Sequence, residues 1–156
     1  FQLKTGFDLK GRGGQMLSEY WSDGLQTLHG LHMHGFPNAF AVQMNQGANM
    51  VSNIPHNIVD HAATIAQIVA HAEHGGFAEI EPTQEAVSQW LNLIIKTPPS
   101  LVSSPDCTPG FWNNEGQGWD DKFRRSQGHP GGAEGYFSHI EAWRQSGTFE
   151  GLTFSK

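Results

Sequence analysis

Scarcity marks this sequence before any motif does. Its 156 residues include one cysteine, Cys107, which excludes an internal disulfide framework and a multi-cysteine zinc site. Basic residues are few, 9 Lys and Arg against 15 Asp and Glu, and the formal charge of −6 offers no positive field for gathering nucleic acid. No run of about 18 apolar residues is present to span a bilayer, and the first residues lack the basic, apolar and cleavage regions of a signal peptide. The expectation is a soluble, cytoplasmic protein without nucleic-acid or membrane partners. Neither GxGxxG nor GxxxxGK[ST] occurs, although there are 19 glycines. Together with a start at Phe1 rather than methionine, that gap suggests a fragment.

What is present suffices for one domain: a hydrophobic content of 37% allows a modest core. Residues 1 to 14 read as short extended pieces that close in a tight turn at Gly11-Arg12-Gly13-Gly14, outside any strand–turn–helix context for a nucleotide. Leu17 to Trp21 reads as a surface turn over Trp21, with one helical turn as the alternative. Leu28 to Met33 reads as a strand, as does Ala39 to Met44, where Phe40, Val42 and Met44 alternate with smaller or polar residues.

From Asn53 to about His74 the period changes. Ile54, Ile58, Ala62, Ile65, Ala66, Ile68 and Val69 recur at three- and four-residue steps, which predicts a helix. Ser52 and Asn53 suit its N-cap, Pro55 its first turn, and Gly75-Gly76 its stop. A short run from Ala78 to Glu81 leads into a second helix, opened by Pro82-Thr83, with Val87, Trp90, Leu91, Ile94 and Ile95 on one face. Residues 100 to 132 form a long Pro-, Gly-, Ser- and Asn-rich segment carrying Phe111, Trp112, Trp119 and Phe123, the composition of a binding loop, a lid or a disordered stretch. A third helix, Ala133 to Ser146, stops at Gly147, and the chain leaves through an extended segment from Phe149 to Phe154. The organisation is therefore a strand and helix core over 1–98, a loop or lid over 99–132, and a terminal helix and tail over 133–156.

The stretch Gly35 to Asn49 carries the chemistry. A strand ends near Met44, the backbone bends through Asn45-Gln46-Gly47-Ala48-Asn49, and the first turn of the long helix presents unpaired N–H groups and the positive end of its dipole. Such a corner holds an anion or a flat ring, with Gly47 permitting close approach, or it is an ordinary strand–helix corner with an Asn cap. His56 lies in the helix's first turn, within reach of a ligand, whereas His71 and His74 suit its negative end. His29, His32 and His34 cluster, and on a strand His32 and His34 share one face. No neighbouring Asp, Glu or Cys completes a ligand set, so no metal site is assigned, and a self-contained α/β module with a His-lined metal site stands as the rival reading. Arg124 and Arg125 either meet a dinucleotide phosphate or pair with Asp120 and Asp121.

Taken in order, several motifs resemble the C-terminal portion of flavin-dependent Baeyer–Villiger monooxygenases. They are Gly11-Arg12-Gly13-Gly14, Leu17 and Trp21, Leu28-His29-Gly30-Leu31, Gly35-Phe36-Pro37-Asn38, Val51-Ser52-Asn53, and Gly131-Gly132 with Tyr136. Cys107-Thr108-Pro109-Gly110 and Asn113-Asn114-Glu115-Gly116 look like the branch near the phenylacetone, steroid and cyclic-ketone enzymes. The resemblance implies an α/β fold, the C-terminal part of a Rossmann-like FAD-binding domain, with the aromatic-rich loop and a C-terminal helix. It implies FAD and NADPH as cofactors, a small ketone and oxygen as substrates, and an ester or lactone as product. The dinucleotide fingerprints and the essential arginine lie upstream in relatives, so the missing N-terminal part of the same enzyme is the expected partner. Asn45, Gln46, Gly47, Asn53 and Ile54 are implied beside the flavin, with Val51 and Ile54 on the ketone pocket and no catalytic proton carrier in this stretch. The loop from Thr108 to Asn114 resembles the family's segment that closes over the nicotinamide.

Overall fold

The architecture is that of a computed structural model describing residues 2–43, 45–48, 52–98, 106 and 108–156. It is rich in helix. In chain order it contains α1 (Gln2–Thr5), a 3-10 turn (Arg12–Gly14), α2 (Leu17–Tyr20), α3 (Ile54–Gly75), β1 (Glu79–Pro82), α4 (Gln84–Ile94), a second 3-10 segment (Phe111–Gly116), α5 (Asp121–Arg124), α6 (Gly132–Ser146) and β2 (Leu152–Ser155). The two strands pair antiparallel, Glu79 opposite Ser155 and Pro82 opposite Leu152. No helix among the described residues is long and apolar enough to cross a membrane.

Helix α4 forms for reasons visible in its sequence. The Thr83 hydroxyl accepts a hydrogen bond from the Ala86 N–H at 3.1 Å, Glu85 faces the positive end of the dipole, and Val87, Trp90 and Ile94 fall on one buried stripe. That stripe joins Leu28, Ala48, Tyr136 and Ile140 in a core between α4 and α6. A second cluster of Ile68, Ala72, Ile80, Trp143 and Phe149 ties the far end of α3 to the sheet and α6. A third, Leu17, Tyr20, Met33 and Phe36, holds the N-terminal turns. The Arg12 turn docks onto β1: its guanidinium reaches Glu79 at 2.5 Å and Glu81 at 3.0 Å.

Several expectations need correcting. Leu28 to Met33 is not a strand, because the chain doubles back at His29 and Gly30 (φ 58° and 75°) and Leu28 meets His32 in a single bridge. Ala39 to Gln43 forms only one bridge, Phe40 to His32, and Met44 lies outside the described residues. Alternation prepares one face for burial, but a strand also needs a neighbouring backbone to pair with, and the chain's only ladder lies elsewhere among the described residues. Gln2 to Thr5 is a helical turn rather than an extended piece, and Leu17 to Tyr20 is helical with Leu17 and Tyr20 buried. The stretch 108–131 is not structureless: Asp120 caps α5 by accepting from the Phe123 N–H at 2.7 Å, and the Arg124 guanidinium lies 5.7 Å from the Trp119 ring centre.

The long helix holds the largest surprise. Residues Ile54, Ile58 and Val59 are exposed, while Asn57, His61 and Thr64 are buried, and only from Ile68 onward is the apolar side turned inward.

Candidate functional site

The site begins where α3 begins. Asn53 occupies the N-cap with extended backbone (φ −61°, ψ 123°), yet its side chain makes no capping hydrogen bond, and the first turn contains no acidic residue. Asn53, Ile54, Pro55 and His56 are exposed, and His56 rests edge-on against Phe137 with ring centres 4.6 Å apart. Among the described residues, the mouth of this 22-residue helix thus has neither a side-chain cap from Asn53 nor a first-turn carboxylate to oppose its positive end.

Residues 45–48 precede this mouth as a turn fastened from several sides. Gln46 is fully buried with φ 60°, and its polar groups are all occupied. Its N–H donates to the Gln127 carbonyl (2.9 Å), and its carbonyl accepts from the Trp90 indole N–H (3.1 Å). Its side-chain amide donates to the carbonyls of Leu25 (2.9 Å) and Arg125 (2.7 Å) and accepts from the Thr27 hydroxyl (2.5 Å). The Gly47 carbonyl accepts from the His129 N–H at 2.9 Å. Beneath the turn, a Cβ at Gly30 would stand 2.9 Å from the Asn45 carbonyl oxygen, so the floor has room only for glycine.

Behind the mouth, α3 and α6 share a buried polar seam. The Tyr136 hydroxyl donates to the His29 carbonyl at 2.9 Å, so the His61 Nε2 at 3.0 Å must carry the proton and donate to the phenol oxygen. That assignment makes His61 the neutral Nε2–H tautomer, in keeping with burial lowering its pKa against the opposing pull of Asp60. Burial raises the Tyr136 phenol. Arg144 bridges the helices, its guanidinium reaching Asp60 at 2.8 Å, Thr64 at 3.0 Å and Glu141 at 2.5 Å.

The clustered histidines do not converge on an ion. Among the described residues no group of three His, Cys, Asp or Glu side chains is placed to hold a metal. His32 is buried against Phe40, and burial lowers its pKa to about 3, while His34 has a separate partner, the Pro82 carbonyl at 2.9 Å. His29 packs between Trp90 and Trp143, 4.8 Å from each ring centre, and its Nε2 lies 3.3 Å from that of His139. Burial, reinforced by His139, His32 and His129, pushes His29 well below the ordinary histidine range.

Of the residues implied beside a flavin, Asn53 and Ile54 stand exposed at the helix mouth and Asn45 and Gly47 lie in the fastened turn. Gln46, in the same turn, is buried with no group left to offer a ligand. Val51 lies outside the described residues, as does Cys107, and the side chains of Phe111 and Trp112 are likewise not described. Trp90, Thr27 and His129 also belong to this site, although no motif in the sequence marks them. Trp90 was legible only as an apolar helix position, although a buried indole N–H always asks for an acceptor.

No protein-family model matches the chain. Individual proteins do. The FAD-binding monooxygenase hmp7 of Hypomyces subiculosus is 36% identical over 148 residues, 94% of this chain and 24% of its own length. Baeyer–Villiger monooxygenase 4 of Dietzia sp. (strain D5) is 35% identical over 150 residues, 96% of this chain and 24% of its own length. A solved structure of oxidised steroid monooxygenase bound to NADP superposes with a TM-score of 0.79 at 27% identity, covering 96% of this chain and 27% of that one. Over nearly all of its length the chain is homologous to part of Baeyer–Villiger monooxygenases, and it spans about a quarter of the proteins it matches.

Proposed function

We propose that this chain supplies the flavin-facing turn and part of the ketone pocket of an FAD- and NADPH-dependent monooxygenase that converts ketones to esters or lactones. The observation that carries this reading is the open, uncapped mouth of α3 behind a rigidly fastened turn, in a chain of this homology. In such an enzyme FAD activates oxygen with reducing equivalents from NADPH.

The residues present fit that group. The uncapped N–H donors of α3 stabilise negative charge at the flavin's pyrimidine edge, with no first-turn carboxylate to oppose them. Asn45, Gly47, Asn53 and Ile54 line that edge, Gln46 sets the turn from behind, and Ile54 borders the ketone pocket, to which the resemblance also assigns Val51, outside the described residues. The chain contributes environment and orientation, and no proton transfer is assigned to it. The exposed stripe of α3 supports a larger assembly: Val42, Ile58, Ala62, Ile65, Ala66 and Val69 border an open groove of about 510 Å³ suited to the remainder of an FAD domain.

The full-length protein tests the proposal. It should purify with FAD, consume NADPH only when a ketone is supplied, and return a product one oxygen heavier. Consumption driven by amines or thioethers but not ketones would instead make it an N- or S-oxygenating flavoprotein. The 156-residue chain alone should neither retain FAD nor oxidise NADPH, and stoichiometric FAD on it would contradict the division of labour stated here.

A further inference from the structure

The turn at residues 45–48 is held in a conformation that its own sequence does not favour. Gln46 carries a side chain at φ 60°, in the left-handed region that non-glycine residues rarely enter. Such a backbone persists only where its surroundings over-determine it. Here they come from three distant parts of the chain: the Leu25–Thr27 loop, the segment 125–129 and helix α4.

Trp90 is the stiffest of these supports. Its ring belongs to the core with Val87, Ile94 and Tyr136, and the imidazoles of His139 and His129, themselves 6.0 Å apart, lie against it at 5.2 and 5.6 Å. The indole N–H therefore donates to the Gln46 carbonyl at 3.1 Å from a ring that is buried in the core. Thr27 adds a second rigid element, since its hydroxyl accepts from the Gly30 N–H at 3.0 Å while donating to the Gln46 amide oxygen.

We propose that Trp90, Thr27 and Gln46 are positioning residues for the flavin, a clamp that fixes the turn 45–48, and with it the mouth of α3, against the flavin's pyrimidine edge. This rests on the reading of that turn as the flavin edge. None of the three touches the reacting atoms. They act through the placement of Asn45, Gly47 and the α3 donors, so loosening the clamp alters how strongly the reduced, negatively charged flavin is stabilised.

The experiment uses the full-length enzyme and three variants. Trp90→Phe keeps the ring and removes the donor, Thr27→Val keeps the shape and removes the hydroxyl, and Ile140→Val thins the same core without touching the turn. Trp90→Phe should displace the visible flavin absorption band, lower the flavin midpoint potential and reduce kcat by about tenfold, the worth of one buried hydrogen bond, with KM for the ketone little changed. Thr27→Val should move band and potential the same way by less. Ile140→Val should lower the melting temperature and leave band and potential at their wild-type positions. Unchanged potentials in both Trp90→Phe and Thr27→Val would overturn the clamp. So would equal shifts in all three variants, which would make the effect one of core stability. Should Trp90→Phe lose flavin outright, Thr27→Val decides between the same two outcomes. If the wild-type full-length protein binds no flavin, the failure lies in the flavin reading itself and is seen before any variant is made.

Discussion

Helix α4 buries Val87, Trp90 and Ile94 and turns Gln84, Glu85, Ser88 and Gln89 to solvent, whereas the first half of α3 does the reverse. It buries Asn57, His61 and Thr64 and leaves Ile54, Ile58 and Val59 at 45, 49 and 67% exposure. Both sequences have a helical apolar period, so the period alone does not say which side faces this chain. In α4 the apolar side meets partners supplied by α6 and the Leu28 turn. In α3 the inward side is polar because α6 offers it Arg144 and Tyr136, which bond Asp60 Oδ1, the Thr64 hydroxyl and His61 Nε2. The apolar side of α3 is then left over, and the proposed remainder of the enzyme is what would cover it. The helix has two faces, one polar and buried within this chain, the other apolar and exposed.

Experiments can break or sharpen this contrast. The largest effect is expected at the apolar interface inside the chain: Trp90→Ala should cost about 4 kcal/mol in urea unfolding, through lost burial, a cavity and the orphaned Gln46 carbonyl. A loss below about 1 kcal/mol would show that the α4 core does not carry the fold. At the polar interface, Arg144→Met should cost about 3 kcal/mol because it strands Asp60, and adding Asp60→Leu should recover most of that. If the double variant is no more stable than the single one, the seam holds by packing and not by charge.

Next comes pH. Burial depresses the folded-state pKa of His32 to about 3, below the ordinary value of about 6.5, so the unfolded chain binds the extra proton. Stability from this residue is complete above the unfolded value and is lost as pH falls toward the folded one, with about 2 kcal/mol gone by about pH 5. His29 shifts in the same direction. Thermal melts between neutral and mildly acid pH should show the slope, and His32→Leu should flatten it; an unchanged slope would mean that His32 is hydrated in solution. The smallest effect separates the two faces of α3. Ile58→Asn should change the stability of the 156-residue chain by no more than about 0.5 kcal/mol, yet cost about 2 kcal/mol in the full-length protein. Equal costs in both would mean that the stripe is already covered within this chain.

Much of this was legible in the amino-acid sequence, and the reason is local. The bounds of α3 and α4 follow from Pro55, Thr83 and Gly75-Gly76, residues whose preferences act within one turn of chain. The helix over 132–146 and the extended ends at β1 and β2 follow from period and turn residues in the same way. The motifs around Gly30, Gly35-Phe36-Pro37-Asn38 and Ser52-Asn53 carry the likeness to Baeyer–Villiger monooxygenases within single turns of chain.

Tertiary structure decided the rest, because it depends on groups far apart in the chain. The alternating run from Ala39 had no strand beside it, so it formed one bridge and no ladder. The polar residues of α3 went inward only because α6, some eighty positions later, brings an arginine and a phenol to meet them. Gln46, which reads in sequence as one more polar residue in a bend, became the point where four segments are tied together. Propensity and period describe what a segment can do with its own neighbours. Which side of α3 is the inside, and what holds the turn before it, are set by hydrogen-bond partners that only the folded chain brings within 3 Å of one another.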